Sequence, residues 1–247
     1  MFIKDWFSAA LALLMITTVP ADAAGAAPPP TPPQTPSPPQ MSPVMRALFA
    51  NTGRGFMNPR DNEALATALK TQPQLDFFEA CAVGNVEQIA TLLRADPKLA
   101  EAWHSLGWTG LHFAAFGGNL PAIRLLLEQR AVVNARARNR FGNTPLQAAL
   151  LTGQFDAAKL LIEGGADVNL RQTGGFVALH EAALTGRKDL VDLLLDHGAE
   201  IAARANDGRN AVSEAERGKH AELVAYLRTK GGVDPAITAD LKAPPKE

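Results

Sequence analysis

Histidine, cysteine, serine and paired carboxylates perform most side-chain chemistry, and in this chain they are not spaced for it. His112 and His180 stand 68 residues apart, which makes neither a local metal pair nor a dyad. His180-Glu181-Ala182-Ala183 begins as the zinc-binding helix of a metalloprotease does. That motif needs a second histidine four residues on, so that both ligands share a helix face, and the residue there is Leu184. Cys81, the single cysteine, lies between Ala80 and Ala82 in an apolar stretch. It should be buried, and a buried thiol keeps its proton and is inert. The sequence has no Gly-x-Ser-x-Gly elbow, no phosphate-cradling glycine loop and no compact carboxylate pair with a matching base. An enzyme is therefore not expected, nor is a metal or a cofactor.

Residues suited to binding are better represented. Arg130, Arg136, Arg138 and Arg140 fall close together, the last three alternating with small or polar residues, and Arg171 and Arg204 recur at comparable positions further on. In a protein of balanced charge they gather positive charge on one edge, which suits an acidic surface; exposed positions can also take arginine simply for solubility. Trp103 and Trp108 flank the start of the same region, with Phe113 and Phe116 just after them and Phe141 and Phe176 later. Tryptophan is enriched at interface hot spots, so both tryptophans are candidates for partner contact, while Phe113 is expected to be shared between the core and the contact surface.

The composition sets the limits within which these residues act. There are 247 residues, 47% of them apolar, with 24 Lys and Arg against 25 Asp and Glu. That is enough apolar material for one domain with tails. An even balance argues against a general nucleic-acid or anionic-membrane binder, since both draw on excess Lys and Arg. One cysteine excludes an intramolecular disulfide and any Cys-rich zinc or iron–sulfur framework.

The first 23 residues read as a secretory signal peptide: Lys4 is the positive n-region, Trp6 to Val19 carries no charge, and Ala21-Asp22-Ala23 offers a cleavage site. The apolar run is short for a spanning helix, which needs about 20 residues. The protein is thus expected to be periplasmic or secreted, without stable membrane insertion. Residues 24–43 form a spacer in which nine prolines fall between Pro28 and Pro43, extended at about 3 Å per residue. Residues 44–74 are an N-terminal capping segment with a helix over 61–70, where Asp61 can cap and Leu65 and Leu69 share a face. Met41 to Pro59, with Met45, Leu48, Phe49, Phe56 and Met57, is too apolar for a spacer; it is expected to pack over the start of the folded region or to lie as a strand against a partner. Residues 233–247 are a polar, proline-containing tail.

The middle of the chain repeats. Gly107, Gly142, Gly175 and Gly208 are spaced 35, 33 and 33 residues apart, and each precedes a similar tetrad: Thr109-Gly-Leu-His112, Thr144-Pro-Leu-Gln147, Val177-Ala-Leu-His180 and Asn210-Ala-Val-Ser213. Alanine pairs come next at 114–115, 148–149 and 182–183, then Gly118, Gly153 and Gly186, then leucine runs at 125–127, 160–161 and 193–195. Repeats end at Gly165, Gly198 and Gly231, and Arg130 takes the aligned place in the second repeat. A divergent unit comes first, through Phe77-Phe78-Glu79-Ala80-Cys81 and Gly84-Asn85 to Leu92-Leu93. A repeat of this kind cannot bury its apolar face alone and is stabilised by its neighbours.

With tetrad, alanine pair, glycine, leucine run and Gly165-Ala-Asp-Val-Asn169 in order, the chain resembles the ankyrin-repeat family. The resemblance implies an all-α repeat solenoid of about five units over residues 75–232, each a β-turn finger followed by two antiparallel helices. It implies that His112 and His180 hydrogen-bond between neighbouring repeats, that Pro145 opens its helix harmlessly, and that Asn85 and Asn119 cap second helices. Glu214, Glu216 and Lys219 then face water as a terminal cap. Ankyrin proteins bind proteins through fingers and the groove of the first helices. Arg136, Arg138, Arg140, Arg171, Arg204, Trp103 and Trp108 are accordingly expected to contact a protein partner with an acidic surface, the chain itself being a monomer. Exported bacterial members support periplasmic enzymes such as catalases in peroxide defence, or act as immunity proteins that neutralise toxic effectors.

Overall fold

Seven-residue helices are two turns long and do not persist alone, so everything in this fold depends on how their ends and faces are satisfied. A computed structural model describes residues 42–50, 63–72 and 74–232. The leader (1–23), nearly all of the spacer and the tail (233–247) lie outside the described residues, as do Asp61, Phe56 and Met57 and the side chains of Leu48 and Phe49. The chain divides into two units, residues 1–75 and 76–247.

In the first unit, α1 (Pro43–Ala50) packs on α2 (Glu63–Thr71). Val44, Met45, Ala47, Leu65 and Ala68 are buried. Pro43 is the first helical residue rather than the last of the spacer: the Ser42 hydroxyl accepts the Met45 N–H at 3.1 Å, and proline forfeits no helical bond there. Residues 43–50 are therefore a helix and not a strand offered to a partner.

The described part of the second unit is a series of helix pairs. α3 (Phe77–Val83) pairs with α4 (Val86–Ala95), α5 (Gly110–Phe116) with α6 (Leu120–Glu128), α7 (Pro145–Leu151) with α8 (Phe155–Glu163), α9 (Ala178–Leu184) with α10 (Lys188–Asp196), and α11 (Ala211–Arg217) with α12 (Ala221–Thr229). Reciprocal caps start the short first helices. Asp76 and Glu79 exchange side chain-to-backbone bonds of 2.8 Å, Thr144 and Gln147 exchange bonds of 2.9 and 3.3 Å, and Asn210 and Ser213 bonds of 2.9 and 3.0 Å. Pro145 opens α7 directly behind its cap, as its place in the sequence implies. Asn85 caps α4 through the Gln88 N–H. Asn119 does not cap α6; its amide donates to Cys81 O and Ala82 O of the preceding repeat and stitches the two together.

Packing explains the repeated residue types. Ala114, Ala115, Ala148, Ala149, Ala182 and Ala183 are fully buried between first helices, where no larger side chain would let the backbones approach. Leu126, Leu161, Leu194 and Leu227 fill the seam of the second helices, each burial stabilising the stack by about 2 kcal/mol.

The fingers are hairpin turns, each closed at its base by a backbone bond: His104 N–H to Trp108 O, Ala137 to Asn143, Gln172 to Phe176, and Ala205 to Arg209. The second encloses two residues more than the others. Neighbouring fingers are tied at 2.8 Å by Arg138 N–H to Gly107 O, Thr173 to Phe141 and Asn206 to Gly174. Gly107 permits the first of these ties, since a Cβ there would meet the Arg138 carbonyl at 2.7 Å. The pairing Trp103 with Thr109 is the one isolated bridge among the described residues.

Candidate protein-binding surface

The finger ladder sets the register of the arginines. Counting from the closing bonds, Arg136, Arg171 and Arg204 are equivalent, each one residue before the donor that closes its finger, and Trp103 takes that place in the first finger. Arg171 donates from one guanidinium nitrogen to Gly175 O at 3.1 Å and to Arg204 O at 2.6 Å. Arg204 donates to Gly208 O at 2.9 Å and is partly buried. These two arginines are staples that close one finger and, for Arg171, clamp it to the next. Arg136 is exposed, and a Cβ built on Gly142 would lie 3.5 Å from its guanidinium.

Arg138 and Arg140 lie in and beside the two-residue extension, exposed at the tip of the second finger. The Arg138 guanidinium carbon is 4.0 Å from the centroid of the Trp103 ring, and that of Arg140 is 4.8 Å from Phe141. A cation over an aromatic face at this separation is worth about 0.5–1 kcal/mol at an exposed site. Among the described residues no carboxylate lies within ion-pair distance of Arg136 or Arg138. The fourth finger differs: Arg209 pairs with Asp207 and with Glu214.

Trp108 does not reach a partner. It is 4% exposed, stacked on His112 with ring centroids 5.8 Å apart and packed against Phe113 and Phe116. Trp103, His104 and Phe78 are half-exposed around the same cluster, Trp103 packing on His112 and His104 on both Phe78 and Phe113. Burial lowers the His104 pKa although Asp76 and Glu79 pull it up.

At the next level of the groove, position five of the first-helix motif runs Phe113, Ala148, Glu181 and Glu214 through successive repeats. Glu214 is 1% exposed rather than water-facing, held by Arg209 at 3.0 Å and Arg217 at 2.6 Å. Glu216 and Lys219 are exposed, as a terminal cap requires. Glu181 accepts from the Gln172 amide at 2.9 Å, and burial pushes its carboxyl up to about 8, with the neighbouring Glu214 adding to the rise. Arg209 also covers Phe176 at 4.6 Å. The groove is thus aromatic in its first repeats and carries locked carboxylates in its last.

The histidines serve the fold. His112 is fully buried, accepts the Thr109 N–H at Nδ1 and places Nε2 3.0 Å from Asn143 O of the next repeat. Gln147 repeats this arrangement, accepting from Thr144 and donating to Leu170 O and Phe176 O. His180 accepts the Val177 N–H and packs on Phe176, but its Nε2 makes no hydrogen bond to the next repeat among the described residues, so the bridge expected of both histidines forms at His112 and not here. Cys81 is fully buried and burial raises its thiol pKa, so it is protonated. Among the described residues no group of three His, Cys, Asp or Glu side chains could hold a metal ion.

Two sets of residues escape a reading of the sequence. Asn139 accepts the Phe141 and Gly142 N–H groups and donates to Leu106 O, fastening the extended finger to the one before it. Asn134 bridges to Gly165 O and Asp167 N, and Asn169 to Gly198 O and Glu200 N, at the finger bases. The recurrence of Val133-Asn134 and Val168-Asn169 is the available signal for the second set; nothing marks Asn139 except the extra length of its finger.

Comparison with known proteins fits this geometry. A family model of ankyrin repeats, three copies long, matches residues 77–172 and 166–239. Similar curated proteins include the E3 ubiquitin-protein ligase KEG of Arabidopsis thaliana, 40% identical over 38% of this chain and 6% of the ligase. Protein phosphatase 1 regulatory subunit 27 of Mus musculus is 34% identical over 37% of this chain and 58% of the subunit. An ankyrin repeat protein of Rickettsia bellii is 38% identical over 28% of each chain. The chain spans less than two thirds of each of these relatives, and the likeness is confined to the repeats. An all-helical stack with hairpin fingers, matched by that model over more than half its length, makes this chain a member of the ankyrin-repeat family, whose repeats are protein-interaction modules.

Proposed function

We propose that this chain is an exported docking module whose second finger engages an acidic surface on a partner protein, and that the partner is an enzyme it supports, such as a periplasmic catalase in peroxide defence. One observation carries the docking reading: Arg136, Arg138 and Arg140 stand exposed on an extended finger, with no carboxylate among the described residues paired to Arg136 or Arg138, while the arginines of later fingers equivalent to Arg136 are spent on backbone carbonyls. Unpaired charge held in place steers association and sets specificity. The leader, Lys4 to Ala23, supports export. An enzyme as partner is supported by the relative that is a regulatory subunit of a phosphatase.

The test is capture of partners from the periplasmic extract of the native host by the mature chain and by its Arg136→Ala, Arg138→Ala, Arg140→Ala triple variant. The expected result is one enzyme, retained stoichiometrically by the wild type, lost by the variant at unchanged circular dichroism, and more active or longer-lived in the complex. Inhibition of a captured toxic enzyme would instead make the chain an immunity protein. Retention unaffected by the triple change would remove the fingers from the function, and mass spectrometry of the native protein should find a chain starting near Ala24.

A further inference from the structure

We propose that Arg138 receives a carboxylate of an acidic polypeptide segment through the edge of its guanidinium fork, with Asn139 as the residue that positions it. This rests on the docking reading above and names the chemistry of the contact.

An arginine over an aromatic ring has its flat face occupied, and its N–H groups point outward along the edge, the arrangement that matches the two oxygens of a carboxylate. Trp103 supplies that face to Arg138 at 4.0 Å. The backbone is fixed as well. Arg138 N–H bonds to Gly107 O at 2.8 Å, and Asn139 donates to Leu106 O at 3.2 Å while accepting the Phe141 and Gly142 N–H groups at 3.0 and 3.3 Å. The two residues that lengthen this finger are thereby fastened to the finger before it. An arginine held on two sides loses less side-chain freedom on binding than a free one, which is a direct gain in affinity.

Charge selects the partner. From Arg130 to Thr144 the chain has four arginines and no Asp or Glu. The later fingers contain Asp167, Glu200 and Asp207 beside their arginines, and Asp207 is paired with Arg209. A long polyanion such as a nucleic acid would run from the second finger onto carboxylates. A short acidic segment of a protein, with carboxylates close enough to reach Arg138 and Arg140 together, meets only the basic finger.

The probe is a fluorescently labelled eight-residue oligo-glutamate peptide titrated into the full mature chain at low salt. Saturable binding is expected. Arg138→Ala should weaken it at least ten-fold, and Arg138→Lys nearly as much, because lysine retains the charge and loses the fork. Asn139→Ala should weaken it about five-fold with the helical circular dichroism retained, its lost hydrogen bonds lowering the melting temperature by a few degrees, and should cost no further affinity on the Arg138→Ala background, since a residue that acts only through Arg138 has nothing left to position. Arg94→Ala, which removes one charge from a second helix, should leave binding as it was. The proposal is overturned if Arg138→Lys binds as the wild type does, if Arg94→Ala loses as much as Arg138→Ala, if the Asn139 and Arg138 losses simply add, or if inorganic tripolyphosphate displaces the peptide at lower concentration than unlabelled oligo-glutamate. Failure of the peptide to bind, while the triple arginine variant still loses its captured enzyme, sinks this inference and leaves the docking reading intact.

Discussion

Arg130 and Lys219 share one backbone conformation, with φ of +60° and +63°, and among the described residues every other positive φ belongs to glycine. They occupy two different turns of the repeat. Arg130 aligns with Gly165, Gly198 and Gly231, which end second helices at φ of +90°, +82° and +94°. Lys219 aligns with Gly118, Gly153 and Gly186, which join the two helices of a repeat at +68°, +69° and +74°. The alignment of repeats thus outranks local preference at both sites: the fold imposes a left-handed residue whatever side chain the sequence supplies.

Arg130→Gly is therefore expected to be neutral or stabilising by up to about 1 kcal/mol. The strain of a Cβ in the left-handed region is relieved, and the freedom that glycine gives the unfolded chain offsets part of the gain. Gly165→Ala and Gly198→Ala should each cost about 1 kcal/mol. A Cβ at either position meets nothing within 4 Å, so the cost is backbone strain alone. Urea denaturation of the three variants measures it; a clear loss in Arg130→Gly would mean that its side chain stabilises the end of α6 by more than the strain.

The second turn separates strain from crowding. At Gly84 a Cβ would lie 2.6 Å from the Asn119 side chain, and at Gly186 2.5 Å from the His220 ring; each neighbour belongs to the following repeat and bonds back to a carbonyl of the preceding one. Lys219 has no following repeat among the described residues, which is why a side chain is admitted there. Gly84→Ala and Gly186→Ala should then cost about 2–3 kcal/mol, strain plus overpacking, against about 1 kcal/mol at Gly198. Lys219→Gly should cost nothing or stabilise. Equal losses at Gly186 and Gly198 would show that His220 swings aside freely.

The left-handed turn at Arg130 is legible because a 33-residue period can be aligned by eye, and so are the helix pairs, the alanine contacts and the histidine bridge at His112. Asn119 is not, because a residue after a turn glycine has two uses, capping its own helix or reaching the previous repeat, and only the distance between repeats decides. Glu214 misleads for a similar reason. A terminal repeat exposes one side, but this residue is buried, enclosed by Arg209 and Arg217. The site is less legible than the fold. Arg171 and Arg204 have the same composition and spacing as a binding stripe, yet their guanidinium groups are consumed by carbonyls four residues on and in the next finger. Such contacts depend on side-chain direction, which periodicity does not carry.

His112 should make the protein acid-sensitive. Burial holds its pKa down at about 4, against an ordinary value of 6.5, so the folded state keeps it neutral while the unfolded chain takes a proton. Its contribution is complete above pH 6.5 and is lost as pH falls toward 4, by up to about 3 kcal/mol. His112→Gln installs the side chain that the third repeat uses at Gln147, with one acceptor and one donor in the same places. The variant should match the wild type at pH 7.5 and exceed it at pH 4.5 in denaturant midpoint. His180, whose pKa burial also lowers, leaves some acid sensitivity behind.

Glu181 acts in the opposite direction. With its carboxyl pushed up to about 8, the folded protein holds a proton there that the unfolded chain releases near pH 4.5. Stability from this group is complete below pH 4.5 and declines as pH rises to 8, because the native state binds the extra proton throughout that window. Glu181→Gln fixes the neutral form and keeps the carbonyl that accepts from Gln172. The variant should equal the wild type at pH 4.5 and be more stable at pH 9 by on the order of 2 kcal/mol, less than the full shift because the side chain is partly exposed. Glu181→Ala, which leaves the Gln172 amide without its acceptor, should lose stability at low pH and recover part of it at high pH. Denaturant midpoints across pH 4.5 to 9 for both variants, set beside His112→Gln, separate an acid limb governed by the first tetrad from an alkaline limb governed by the groove. A Glu181→Gln curve parallel to the wild type over the alkaline limb would mean that the carboxylate ionises in place, screened by Arg209 or by water, and that Glu214 is not its electrostatic neighbour in solution.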